Sequence, residues 1–479
     1  MKTMSFNRTK IVATIGPASN SLEAVVKLIE AGVDVFRLNF SHSKYDIVSQ
    51  SIAYIEQANE QLGTNVGILA DLQGPKIRLG AIVGDKVSVV AGDKILLCTY
   101  PTESTKEKMY VTYEELAKDV YKGQRILIDD GKMELRVIST NNHDEVMTEV
   151  MNDGVISSKK GINLPDTVIS APALSAKDME DLQFIFKHNI NWIALSFVRT
   201  SEEIQHLKGI IQFNKHHAKI IAKIERPEAI DNIDDIIRTT DAVMVARGDL
   251  GVEMPVERIP ILQKSIVNKC RNASKPVIIA TQMMESMMSN PMPSRAEVTD
   301  VANAIFDGAD ALMLSGETAM GNFPVKVVET FTRIIESIEK ETNIFHRYHA
   351  PEISSPTFMS DVVCHNACKM AADFKAKAIV GVTKSGYTAF TVSSQRPEAP
   401  IFIFTGNQQL INMYSLIWGV RAFYYDKSGT TEETLNDLKQ ILTEKEFVKK
   451  GDIVIHTMTV PLKERGRTNT IKVSIVNGN

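Results

Sequence analysis

The chain has 479 residues, of which 44% are hydrophobic and 23% charged, a balance that supports large buried cores and argues against extensive disorder. Its 54 basic and 58 acidic side chains leave a net charge of -4, so no global basic field exists to hold a nucleic-acid backbone. On length alone, about three domains are expected. The opening MKTMSFNRTKIVATIG has no apolar core of signal-peptide length and no later run is long enough for a membrane span, so a cytoplasmic protein with no membrane partner is expected. The 4 cysteines (Cys98, Cys270, Cys364, Cys368) are scattered, and Cys364 and Cys368, one helical turn apart, read as buried helix residues rather than half of a zinc site.

Short apolar runs alternate with amphipathic stretches from the start: KIVATIG from Lys10, VFRLNF from Val35 and NVGILADLQ from Asn65. WIALSFV from Trp192, KIIAKIE from Lys219, AVMVARGDL from Ala242, PVIIATQM from Pro276 and ALMLSGET from Ala311 complete the series. Helical periodicity between them, as in SLEAVVKLIEAG, makes these parallel strands joined by crossovers, and eight such units suggest a closed (β/α)8 barrel formed by residues 1–78 and 165–342. Residues 79–164 read differently. Runs such as KVSVV, KILLC, QRILIDDG and EVMTEVM, separated by Gly and Asp turns, predict a small β-barrel inserted at the mouth as a lid. After the joint HAPEISSP, residues 343–479 alternate strands (AKAIVGVT, APIFIFT, VRAFYY, DIVIHTM) with helices, an open α/β layout.

Side chains two apart on a strand share a face, so Arg37, Asn39 and Ser41 project together, as do Asp71 with Gln73, Lys223 with Glu225 and Arg247 with Asp249. Salt bridging between neighbouring strands accounts for any one pair as well as function does. Polar endings on so many strands favour function, because the C-terminal ends of a parallel barrel converge on one place. Glu225 and Asp249 could share a divalent cation of the magnesium type, which takes one or two protein carboxylates and fills its other positions with water and substrate oxygens. Lys223 and Arg37 add fixed positive charge, and the N–H groups around Gly248 and Asp249 could hold a carboxylate.

FRLNFSH, LADLQGPKIR, IAKIERPEAIDN, MVARGDLGVEMP, IATQMMESM, PSRAEVTDVANAIFDGADALMLSGETAMGNFP and TKSGYTA, in this order, resemble the pyruvate kinase family from about Lys10 to the C-terminus. The resemblance implies transfer of a phosphoryl group from phosphoenolpyruvate to ADP, giving pyruvate and ATP. It implies Mg2+ or Mn2+ on Glu225 and Asp249, Lys223 on the transferring group and Arg37 on the substrate phosphate. Thr281 with the Gly248 and Asp249 amides would take the substrate carboxylate, and Ser315 and Glu317 would belong to a protonating network. Asn39, His42, Arg78 and Lys160 match positions near the nucleotide phosphates. Family members are usually homotetramers, and many bind a regulatory sugar phosphate at the loop matching Thr383, Lys384, Ser385, Gly386 and Thr388. The loop VPLKERGRTNTIKV departs from the fructose bisphosphate pattern, leaving another sugar phosphate, a nucleotide or no effector open. In potassium-dependent relatives a Glu stands where this chain has Lys76. With Asn39, Ser41, Asp71 and Leu72 around the matching region, the ammonium of Lys76 is expected to make K+ unnecessary. The competing reading is a metal-dependent lyase or mutase, which needs no lid; a sensor using only the C-terminal domain leaves the barrel residues unexplained.

Overall fold

The structure, a computed structural model, describes residues 7–41, 44–427, 429–461 and 467–476. His42 and residues 462–466 of the departing loop lie outside these. Eight strands form a closed parallel barrel: β1 (Lys10–Thr14), β2 (Val35–Asn39), β3 (Gly67–Asp71), β4 (Trp192–Leu195), β5 (Lys219–Ile224), β6 (Ala242–Ala246), β7 (Val277–Ala280) and β8 (Ala311–Leu314). Each pairs with its neighbours in sequence among these eight, and β1 closes on β8. KIVAT, GILAD and AVMVA are buried at every position, because one strand face meets the helical ring and the other fills the barrel. Helix starts carry their own signals: Ser21 caps Leu22–Ala31 by accepting from the Ala24 N–H at 3.2 Å, and Ser175 and Ser294 open capping boxes.

The run AVMVARGDL is not strand throughout. β6 ends at Ala246, and Arg247–Glu253 is a helix, so Arg247 and Asp249 are placed by a helical turn and not by strand alternation. The insertion's strands run from Lys86 to Asn163. The small barrel expected there is realised as a six-stranded sheet and a two-stranded ribbon (Lys86–Val89 with Gly154–Ser157) around one core that includes Leu97, Ile126, Leu135 and Val146. Strands of two to four residues, among them Ile162–Asn163 and Lys108–Tyr110, leave its edges short of closing the ring.

Residues 345–357 form no helix or strand and lead into the C-terminal domain. Its strands are β9 (Ala378–Val382), β10 (Ile401–Thr405), β11 (Val420–Tyr424), β12 (Ile453–Met458) and β13 (Thr470–Ile475), in the order β11-β10-β9-β12-β13. β13, absent from the sequence reading, is an antiparallel edge strand. This domain closes the floor of the barrel: Trp192, buried inside it, donates its indole N–H to the Met413 carbonyl at 3.3 Å, and one apolar cluster runs from Leu69 and Ile221 to Leu416 and Ile417. Among the described residues no helix is long and apolar enough to cross a membrane.

Candidate active site

The C-terminal ends of the barrel strands bring one charge cluster together. Lys223 Nζ lies 3.2 Å from Asp71 Oδ1 and 3.0 Å from Glu225 Oε1, and donates to Ser196 Oγ at 2.7 Å. Asp71 Oδ2 accepts from Arg37 Nε at 2.7 Å, while Arg37 Nη1 donates to Thr14 Oγ1 at 3.1 Å. Burial alone would raise the pKa of Asp71, but Lys223 and Arg37 outweigh it and hold the carboxyl below its ordinary value. For Lys223, burial works against the charge, yet Asp71 and Glu225 keep the ammonium above the usual lysine range. Glu225 goes the other way: burial raises it, with Asp249 adding repulsion, against the pull of Lys223 and the Phe197 N–H at 2.7 Å. The salt bridging between neighbouring strands set out from the sequence is present in these contacts.

Glu225 and Asp249 face one another closely enough for their charges to interact, and among the described residues no hydrogen bond or ion pair engages the Asp249 carboxylate. Two carboxylates are the donor set of a hard, oxygen-seeking cation that completes its shell with water and substrate oxygens. Among the described residues no group of three or more His, Cys, Asp or Glu side chains could hold a metal, so the softer, fully protein-ligated type of site does not fit. Glu225 Oε1 would have to be shared between the cation and Lys223.

The turn after β7 is strained. Thr281 has φ 70 and Gln282 φ 55, and a β-branched residue at positive φ is rare. Arg247 holds it there, donating to the Thr281 carbonyl at 2.8 Å while its guanidinium grips Asp300 at 2.8 and 2.7 Å. The Gly248 N–H, expected to face a substrate, donates instead to Thr281 Oγ1 at 2.7 Å, because a side chain at 248 would put its Cβ 3.2 Å from that oxygen and glycine permits the approach. Asp249 keeps its N–H in the first helical turn, where no carbonyl one turn back accepts it. Buried Glu317 accepts from the Ser315 N–H at 2.7 Å and the Met284 N–H at 3.2 Å, tying the loops after β7 and β8.

Of the residues assigned to a nucleotide, Asn39 uses Oδ1 to accept the Ser41 N–H at 3.1 Å, Arg78 donates to the Lys159 carbonyl at 3.2 Å, and Lys160 pairs with Asp129 at 2.9 Å. Arg78 bridges to Gly161, so both cations stand at the root of the insertion, beside a cleft lined by Lys76, Asp130, Asn163, Phe197 and Asp249. The insertion is fastened across that cleft: Asn163 donates to Glu253 at 2.8 Å, and Arg226 pairs with Glu253 at 3.0 Å. Lys76 is exposed and makes no ion pair with Asp71, whose oxygens serve Arg37 and Lys223; Leu72 is buried. In the C-terminal loop, Gly386 (φ 91) donates to Thr383 Oγ1 at 3.0 Å, and Lys384 and Ser385 are exposed. Thr388 is buried, its hydroxyl 2.7 Å from that of Thr468, which takes it out of the expected phosphate cradle. Ser196, Arg226, Glu253 and Asp300 were missed, and Arg247 was read as sharing a strand face with Asp249, with no sign of its contacts to Thr281 and Asp300. IERP and ARGD carry the two arginines, but their partners are distant in sequence.

Fold and site define a (β/α)8-barrel protein with a lysine held between carboxylates at its mouth, under an inserted β-rich unit. The family described as pyruvate kinase, barrel domain, matches residues 6–328, and that described as pyruvate kinase, alpha/beta domain, matches residues 361–474. The chain is 41% identical over 473 residues to a pyruvate kinase of Geobacillus stearothermophilus, covering 98% of this chain and 80% of that protein. It is 40% identical over 469 residues to that of Corynebacterium glutamicum, covering 98% of each. A solved pyruvate kinase from Cryptosporidium parvum superposes with a TM-score of 0.93 at 33% identity, covering 98% of this chain and 96% of that one. The chain belongs to the pyruvate kinase family.

Proposed function

We infer that the protein moves the phosphoryl group of phosphoenolpyruvate to ADP, giving pyruvate and ATP, in the mouth of its barrel. The observation that carries this reading is the buried Lys223 ammonium set against Asp71, Glu225 and Ser196 beside the open Asp249 carboxylate. Arg37 grips the substrate phosphate, and Lys223 faces the negative charge that spreads over the phosphoryl group in flight. Thr281 and the Asp249 N–H orient the substrate carboxylate. Mg2+ or Mn2+ held by Glu225 and Asp249 supplies Lewis-acid stabilisation of phosphate and enolate oxygens. Ser315 and Glu317 belong to the polar network through which a proton reaches the enolate methylene. Asn39, His42, Arg78 and Lys160 meet the nucleotide phosphates, and residues 79–164 close over both substrates, since water in place of ADP would hydrolyse the donor. Residues 1–78 and 165–342 form the catalytic unit, and residues 343–479 regulate and assemble a cytoplasmic homotetramer.

The test is pyruvate formation from phosphoenolpyruvate and ADP with and without Mg2+. Turnover should require the metal, and absence of ATP among the products would overturn the reading. The same assay addresses Lys76: rates in K+ and in tetramethylammonium at equal ionic strength should agree within about twofold, since the exposed ammonium supplies the charge beside the cleft. Lys76→Glu should be slower and partly rescued by K+. Strong K+ activation of the unmodified enzyme would remove Lys76 from this role.

The Thr383 to Gly386 turn is proposed as a regulatory phosphate site, resting on Lys384, Ser385 and the hydrogen-bonded Gly386 turn. Ser385→Asp places a carboxylate where the phosphate would sit. It should abolish any shift of the phosphoenolpyruvate saturation curve by sugar phosphates while leaving kcat at saturation unchanged; an identical response in the variant rules the turn out.

A further inference from the structure

Residues 164–171, by which the chain returns from the insertion to the barrel, are bound into the insertion itself. Asp166 accepts from Arg125 Nε and Nη2 at 3.0 and 2.7 Å, and the Thr167 hydroxyl donates to Gln124 Oε1 at 3.1 Å. The Ser170 N–H donates to Asp119 at 2.8 Å, while Ile169 and Ala171 pack against the insertion's apolar core. Two arginines of the barrel reach across to this segment. Arg199 donates to the carbonyls of Ile169 and Ala171, and Arg226 to those of Leu164 at 3.4 Å and Thr167 at 3.0 Å.

The two arginines differ in what stands behind them. Arg199 is held by Glu203 at 2.9 and 2.6 Å, in the helix Ser201–Phe213, which carries none of the site residues. Arg226 directly follows Glu225, and its Nη1 donates to Glu253 Oε1 at 3.0 Å. Glu253 ends the helix Arg247–Glu253, whose first turn bears Asp249. The same Glu253 oxygen accepts from Asn163 at 2.8 Å, on the last strand of the insertion. One planar fork thus touches the return segment and the Asp249 helix while its backbone continues from Glu225. Arg226 and Glu253 are 3% and 4% exposed, so water does not screen the pair. Among the described residues Arg226 Nε, Glu253 Oε2 and Glu228 Oε2 are buried without a partner. Unpaired buried polar atoms are costly, and a seat that carries such a cost is released more easily than a fully paired one.

We propose that Arg226 and Glu253 are positioning residues that couple the seat of the insertion to the placement of Glu225 and Asp249, so that occupying those two carboxylates and seating the insertion favour one another. The coupling is reciprocal by necessity: whatever fixes Glu225 and Asp249 steadies residues 164–171, and whatever seats the insertion steadies the two carboxylates. Its consequence for turnover rests on the phosphoryl-transfer reading above. An insertion seated only when the carboxylates are in place excludes water while the donor is activated, and leaves the cleft open to ADP beforehand.

Hydrogen exchange of the full chain, with and without Mn2+, tests the coupling without turnover. In the unmodified protein Mn2+ should slow exchange of the amides of residues 161–171 about tenfold, and in a double variant, Arg226→Met with Glu253→Leu, it should change them little. The double variant exchanges the buried pair for apolar side chains and so leaves no buried charge unpaired. Arg226→Lys keeps the charge without the fork and should respond between the two. In the phosphoenolpyruvate and ADP assay the double variant should raise the KM for ADP about tenfold with kcat within about threefold. Pyruvate should also exceed ATP, because water attacking phosphorus in place of ADP gives inorganic phosphate and the enolate, which takes up a proton to become pyruvate. Equal slowing by Mn2+ in all three proteins, slowing in none, or an unchanged KM for ADP with pyruvate equal to ATP overturns the proposal. Absence of ATP with the unmodified enzyme would defeat the phosphoryl-transfer reading instead, and the exchange comparison would still decide the coupling.

Discussion

Lys223→Met is expected to lower kcat about 1,000-fold while Mn2+ still binds, because the ammonium acts where charge develops in a dry, preorganised site. Its contacts explain why no neighbour can substitute. Arg37 is already shared between Asp71 and Thr14, and Ser196 spends its hydroxyl on the Leu72 carbonyl at 2.7 Å. Stability should also fall, since removing one partner of a buried pair costs about 3 kcal/mol or more where the other stays charged. The loss is limited by what remains: Asp71 keeps Arg37, and Glu225 keeps the Phe197 N–H. Metal affinity should hold or improve, because the ammonium competes for Glu225 Oε1 at 3.0 Å. Turnover of phosphoenolpyruvate and ADP, read beside a Mn2+ titration of the same variant, separates the two effects. A variant turning over within about tenfold of the unmodified enzyme would remove Lys223 from the phosphoryl-transfer step.

The barrel was legible because each of its strands is a short run buried on both faces, and such runs bounded by helical periodicity have few other readings. Residues at those strand ends, Arg37, Lys223 and Glu225, followed directly. The reading failed where the backbone changed state inside an apolar run: Val245 and Ala246 give no warning that Arg247 begins a helix, so a strand argument placed Asp249 correctly at the mouth for the wrong local reason. It also failed where a side chain's partner is remote. Nothing near Arg247 points to Asp300, and nothing near Asn163 points to Glu253; only the closed topology brings them together. β13 was missed because Thr470, Lys472 and Ser474 make an edge strand look like polar loop. The strand period paired Asp71 with Gln73, while its contacts with Arg37 and Lys223, which come from β2 and β5, needed the closed topology.

Glu225→Gln and Asp249→Asn should each remove most metal-dependent turnover, about 1,000-fold and 100-fold respectively, but for different structural reasons. Asp249 is half-buried in the first turn of Arg247–Glu253, and among the described residues its carboxylate has no internal partner. Its amide replacement should therefore leave the melting temperature unchanged and raise the Mn2+ concentration needed for half-maximal rate, with partial recovery at saturating metal. Glu225 is buried and has two partners, Lys223 and the Phe197 N–H. An amide oxygen can still accept from Phe197, so the loop after β4 should hold. Lys223 would lose one of its two carboxylates and settle on Asp71 at 3.2 Å, drawn away from the shared oxygen. Added metal should then restore little, since both a ligand and the position of the lysine are gone. Comparing Mn2+ dependence of kcat in the two variants checks this contrast. Full recovery of Glu225→Gln at high metal would show that Glu225 does not set the position of Lys223, and normal metal dependence in Asp249→Asn would remove Asp249 from the cation site.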